Sequence, residues 1–175
     1  LGKNFFKKKI KFSLNTSLEA QIAAISDDIA YNSHDLEDGL KSNLFKLNDL
    51  NNIPVLNNIV SKHKKRLKKY SIDLIVRQII RDIINEMVND VIKTTRKNIK
   101  SNKIKNLMDV YKCRKKLVCF SNDMYNFDLK IKNFLKEKMY FHRSVNVKTN
   151  YGKKIIKNLF SLIKKKPKKY INIKK

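Results

Sequence analysis

Apolar side chains recur along this chain at steps of three and four, and no stretch alternates as a strand series would. The strongest run is Ile72, Ile75, Val76, Ile79, Ile80, Ile83, Ile84, Met87, Val88, Val91, Ile92 and Ile99. That spacing predicts a long amphipathic helix over 72–99 with a wide apolar stripe. Its β-branched content favours a strand, but so long a run at helical spacing outweighs that. An earlier helix carries Leu18, Ile22, Ile25, Ile29, Leu36 and Leu40 on one side. Thr16 and Glu19 fit a capping box at its start, and Gly39 suits the left-handed position that ends a helix. Residues 40–58 read as loop and short helix around Pro54. Two further helices are expected. One runs from Asn122 to Phe141, capped by Ser121, with Phe127, Ile131, Phe134, Leu135 and Met139 inward. The other runs from Val147 to Lys164, with Tyr151, Ile155, Leu159, Phe160 and Leu162 as its apolar positions. Leu1–Leu14 reads as a strand or connecting loop, and Lys164–Lys175 as a frayed basic tail. There is no internal repeat, and the fold class is all-α.

Composition changes this picture little. The chain has 175 residues, a length that suits one domain or part of a larger protein. It starts at Leu1 rather than Met, and the expectation is that it is the remainder of a longer protein. Three glycines and two prolines exclude collagen-like and Pro/Gly-rich disordered classes. Cys113 and Cys119 are too few for a disulfide scaffold or a four-cysteine zinc site, and read as reduced thiols. No run approaches the ~18 apolar residues of a membrane span, and no signal-peptide pattern opens the sequence; the expectation is a cytoplasmic protein with no membrane partner.

The net charge of +26 points to a polyanionic partner. However, 35 lysines accompany 21 asparagines and 21 isoleucines. All three have AT-rich codons, and codon bias explains the lysines without any ligand. The exception is the window 13–40, which holds no Lys or Arg but carries Glu19, Asp27, Asp28, Asp35, Glu37 and Asp38. A metal site is one reason to exclude ammonium groups, because they compete with the cation. On a helical wheel with Asp27 at the origin, Tyr31 falls at about 40° and Asp35 at about 80°. Ala20 and Ala24 lie beside them, and the apolar positions cluster on the opposite side. A solvated acidic face is one reading of this ladder. The other is a ligand-facing rail: a carboxylate for a cation, a phenol to pack on a sugar or base, and a second carboxylate to accept from a hydroxyl.

The string Ser17-Leu18-Glu19-Ala20-Gln21-Ile22-Ala23-Ala24-Ile25-Ser26-Asp27-Asp28-Ile29-Ala30-Tyr31-Asn32-Ser33-His34-Asp35-Leu36-Glu37-Asp38-Gly39 resembles the signature helix of the deoxyguanosine triphosphate triphosphohydrolases, in the HD-domain metal phosphohydrolase superfamily. The resemblance continues through Arg81-Asp82-Ile83-Ile84, Met87 to Ile92 and Thr95. It extends over Phe120-Ser121, Phe134-Leu135, Met139-Tyr140, His142, Val145 and Leu159-Phe160, covering roughly 14–165. It implies an all-α architecture built from the C-terminal helices of an HD domain plus a helical associated region. Residues 1–58 would end the HD domain, with the signature helix at 17–38. Residues 59–165 would form the associated domain, and 166–175 a basic tail. It also implies roles: Asp27 as the last ligand of a divalent ion such as Mg²⁺ or Mn²⁺, and Tyr31 and Asp35 as contacts to deoxyribose near its 3′-hydroxyl. The reaction implied is hydrolysis of a deoxynucleoside triphosphate to deoxynucleoside and triphosphate at a metal-activated α-phosphate.

One departure matters. The family's metal site needs a His and a later His-Asp doublet upstream of this helix, and no His, Asp or Glu precedes position 17 here. His34-Asp35 lies inside the signature helix, while His63 and His142 read as structural or exposed. The chain therefore offers one of four ligands and is expected to be inactive alone, with a homo-oligomer as a further expectation. The rival reading is a basic helical module that holds nucleic acid, including single-stranded DNA. It would use Lys62, Lys64, Lys65, Arg66, Lys68 and Lys69 and a second cluster near position 160.

Overall fold

The computed structural model describes residues 15–63 and 69–170. The readings of Leu1–Leu14, of Lys64, Lys65, Arg66 and Lys68, and of the last five residues lie outside them. Helix α1 spans Leu18–Lys41 and is followed by a 3-10 turn, Leu47–Asn52. Then come α2, Pro54–His63, the long α3, Ile72–Ser101, and the short α4, Leu107–Lys112. Helix α5 covers Asn122–Leu135 and runs into a π-helical turn, Lys136–Tyr140. Helix α6, Arg143–Lys165, and the single turn α7, Pro167–Tyr170, complete the chain. No strand occurs among the described residues, and the fold is all-α. None of the described helices is long and apolar enough to cross a membrane.

The chain divides into two compact units, one reaching to Lys132 and the other starting at Asn133. In the first, α1 and α2 both pack on α3. Leu36 from α1 and Ile79, Ile83 and Met87 from α3 are wholly buried, as are Leu50 and Leu56 from the 3-10 turn and α2. The apolar stripe of α3 is narrower than its sequence predicts. Ile75, Val76, Ile79, Ile80, Ile83, Met87 and Val91 are buried, whereas Ile72, Val88 and Ile92 are exposed. The expected inward set of α1 is corrected likewise: Ile25, Ile29, Leu36 and Leu40 are buried, but Ile22 is 49% exposed. Helical periodicity marks a face; how far round the helix its neighbours reach is set by those neighbours. In the second unit α6 buries no side chain, and Tyr151, Ile155, Leu159, Phe160 and Leu162 are exposed rather than inward. Phe127, Ile131 and Leu135 of α5 are buried as expected, whereas Phe134 and Met139 are half-buried.

Both ends of α1 differ from their sequence reading. Ser17, not Thr16, is the cap, and its hydroxyl accepts from the Ala20 amide at 3.3 Å. Gly39 is still helical, and the left-handed residue is Asn43, with φ of 54°. The Leu44 amide donates to the Gly39 carbonyl and the Asn43 amide to the Leu40 carbonyl. That pairing is a Schellman closure with asparagine in glycine's usual place. Gly39 is needed for a different reason: a Cβ there would overlap the ring of buried Phe45. Alanine would gain about 1 kcal/mol of helix propensity, but overpacking a filled core costs about 1–3 kcal/mol. Gly39→Ala is therefore expected to lower the urea midpoint, and Asn43→Gly to leave it unchanged or raise it. A stabilised Gly39→Ala would show that the ring moves aside freely.

Candidate acidic face of the first helix

Asp27 and Tyr31 are exposed, Tyr31 by 58%, and Asp35 is half-buried. None of the three lies on the buried side of α1, so the ladder drawn from sequence stays on the solvent side. The buried side is fixed by more than apolar contact. Gln21 and Asn32 are each only 3% exposed, and eleven helical residues put them on one line about 16 Å apart. The Gln21 Oε1 accepts from the Leu117 and Val118 amides at 3.0 and 3.1 Å. Its Nε2 donates to the Thr16 carbonyl at 2.9 Å. The Asn32 Nδ2 donates to Asp128 Oδ1 on α5 at 2.7 Å. Asp128, also 3% exposed, receives Lys132 Nζ at 2.8 Å on its other oxygen. Lys132 in turn lies 3.7 Å from Asp28, the neighbour of Asp27. Partial burial works against the charge on Lys132. Hydrogen bonds and attraction from Asp128 and Asp28 outweigh it and raise the lysine's pKa. Ser121 starts α5 as its sequence predicts, its hydroxyl accepting from the Met124 amide at 3.3 Å. Asp90 of α3 grips that end, receiving the Ser121 amide at 2.8 Å and hydroxyl at 2.6 Å.

These buried polar partners were not singled out from sequence. Their separations of 96 and 97 residues leave no local pattern to find. The clue that existed was the interruption of the inward arc of α1 by polar Gln21 and Asn32.

A resident cation would need more than α1 supplies. Among the described residues, no group of three or more His, Cys, Asp or Glu side chains comes together. His34 is exposed, and His142 is bonded through Nδ1 to the Ser144 hydroxyl at 2.8 Å. Asp27 is a single carboxylate, so the described residues alone do not fit a divalent ion.

His63 is structural: it is buried, and its Nε2 lies 2.8 Å from Asp82 on α3. The other Asp82 oxygen receives Gln78 Nε2 at 3.2 Å. Desolvation pushes the Asp82 pKa up, but bonds from His63 and Gln78, with attraction from His63 and Lys62, overcome it and hold the value low. As pH falls, the unfolded carboxyl therefore takes up its proton first. The stability this contact lends is whole above about pH 4 and is lost as pH drops through the lower folded value. Asp82→Asn is expected to flatten that acid limb when urea midpoints are compared across pH, and an unchanged slope would exclude the contact as its source.

A groove of about 370 Å³ lies on the far side of α1 from Asp27, between α1 and α3. Ile22, Val88 and Ile92 form its walls, which accounts for their exposure. Its lining is apolar, and the acidic ladder has no part in it.

Comparison with known proteins finds relatives along nearly the whole chain. Residues 118–172 match the family described as Phosphohydrolase-associated domain. A Pelagibacter ubique protein named deoxyguanosinetriphosphate triphosphohydrolase-like is 48% identical over 172 residues, covering 98% of this chain and 46% of the relative. Proteins of the same name from Parvibaculum lavamentivorans and Caulobacter vibrioides are 33% and 34% identical. They cover 85% and 86% of this chain, and 38% of each relative is matched. The chain thus spans less than half the length of these relatives, consistent with its corresponding to their C-terminal portion.

Proposed function

We propose that this chain, related over nearly its whole length to proteins named deoxyguanosinetriphosphate triphosphohydrolase-like and carrying a phosphohydrolase-associated domain, is a part of a metal-dependent deoxynucleoside triphosphate triphosphohydrolase. The reaction is hydrolysis of the substrate to deoxynucleoside and triphosphate. The observation that carries this reading is the solvent-facing ladder of Asp27, Tyr31 and Asp35 within the signature string. Asp27 contributes one carboxylate to a divalent ion whose other donors lie outside the described residues. Tyr31 presents a ring to the deoxyribose, and Asp35 accepts from a sugar hydroxyl. Alone, the chain has no complete donor set and does not turn over. The intact protein is cytoplasmic and assembles from several copies.

The test is triphosphate release from dGTP with Mn²⁺ or Mg²⁺, by the longest reading frame that contains this sequence and by this chain alone. Release by the long form only is expected, and release by neither removes the reading. The alternative reading, a basic helical module that holds single-stranded DNA, rests on the 41 basic against 15 acidic residues. Its affinity would fall steeply with salt.

A further inference from the structure

We propose that Asp128 is a positioning residue for the Asp27–Tyr31–Asp35 face, setting the rotation of α1 through Asn32 and Lys132; this rests on the function proposed above. Apolar contact is non-directional, and directional bonds at two points along α1 add an angular constraint to its packing. Gln21 ties the first turns of α1 to the Leu117 and Val118 amides. Three turns later, Asn32 ties the helix to Asp128. The second tie sits beside Tyr31, and Lys132 extends it to Asp28, beside Asp27.

The lever is large. Turning a helix of about 5–6 Å radius by 20° carries a side-chain tip about 2 Å, and a misplacement of about 1 Å can cost about 100-fold in rate. Asp128 is also an expensive way to hold a helix by burial alone. A carboxylate taken out of water contributes little net stability even when paired, and an apolar residue of similar volume often serves as well. What the carboxylate adds is two acceptors in fixed directions, one for each tie. Asp90 sustains the arrangement by gripping Ser121 at the start of the same helix.

The experiment uses this chain labelled with 3-fluorotyrosine, with the Tyr31 ¹⁹F resonance assigned by its loss in Tyr31→Phe. Asp128→Ala is expected to shift or split that resonance with far-UV helicity unchanged. The exchange Asn32→Asp with Asp128→Asn, which restores the hydrogen bond in the reverse direction, is expected to return it. Should Asp128→Ala not fold, Lys132→Gln takes its place, because its side chain is 40% exposed and its loss leaves no cavity; it should move Tyr31 by a smaller amount. An unmoved Tyr31 resonance in the folded variant overturns the proposal. In the longest reading frame, Asp128→Ala is expected to lower kcat/KM for dGTP about 10- to 100-fold, with recovery in the exchange variant. A frame that hydrolyses no triphosphate, alongside the expected ¹⁹F result, would remove the functional reading and leave the positioning role standing.

Discussion

Replacing Asp27 with alanine is expected to lower triphosphate release by the longest reading frame at least ~100-fold, without loss of helical signal. The two halves of that expectation have separate grounds. Asp27 is exposed, and surface substitutions of that kind change stability by about 0.5 kcal/mol or less. Its carboxylate is nevertheless the proposed donor to the cation, and even residues one step removed from a metal cost about 10- to 100-fold when lost. Neighbouring Asp28 supplies the control. It is also exposed, and it lies 3.7 Å from Lys132. Asp28→Ala should cost far less. Equal effects at the two positions would mean that general acidity, rather than a particular oxygen, is what matters. An unchanged rate in Asp27→Ala would refute the assignment outright.

Leu36→Ala is expected to destabilise the chain by about 2–5 kcal/mol, measured by urea unfolding followed through helical circular dichroism. Leu36 has no exposed surface and faces the α3 core that holds Ile79, Ile83 and Met87. Removing it forfeits transfer free energy and leaves a cavity that rigid helices fill poorly. Ile22→Ala supplies the contrast on the same helix, since Ile22 borders the open groove and is already half in water. Its cost should fall below about 1 kcal/mol. Comparable losses at the two sites would mean that the groove is filled in solution.

Much of this was legible in advance, for a definite reason. Helix α3 announces itself because twelve apolar side chains keep one period, and the found span, Ile72–Ser101, extends the expected one by two residues. The acidic ladder was equally plain: residues four apart share a face whatever surrounds the helix. Gly39 misled because glycine answers two different needs, positive φ and empty space, and its letter does not say which. Here the empty space holds Phe45 and the positive φ falls to Asn43. The apolar row of α6 was legible as a row, but periodicity says nothing about what covers it. His63, set among lysines, gave no hint of Asp82, which lies 19 residues on and one helix away.

The ties at Gln21 and Asn32 also carry a consequence for how the molecule is made. Their partners leave the ribosome nearly a hundred residues after α1 itself, and contacts that distant in sequence form late because a long loop must close first. Until the segment through Lys132 has emerged, the Asn32 tie and its Lys132 extension cannot form. A message truncated before that point would yield a helical product whose acidic rail is never locked in register.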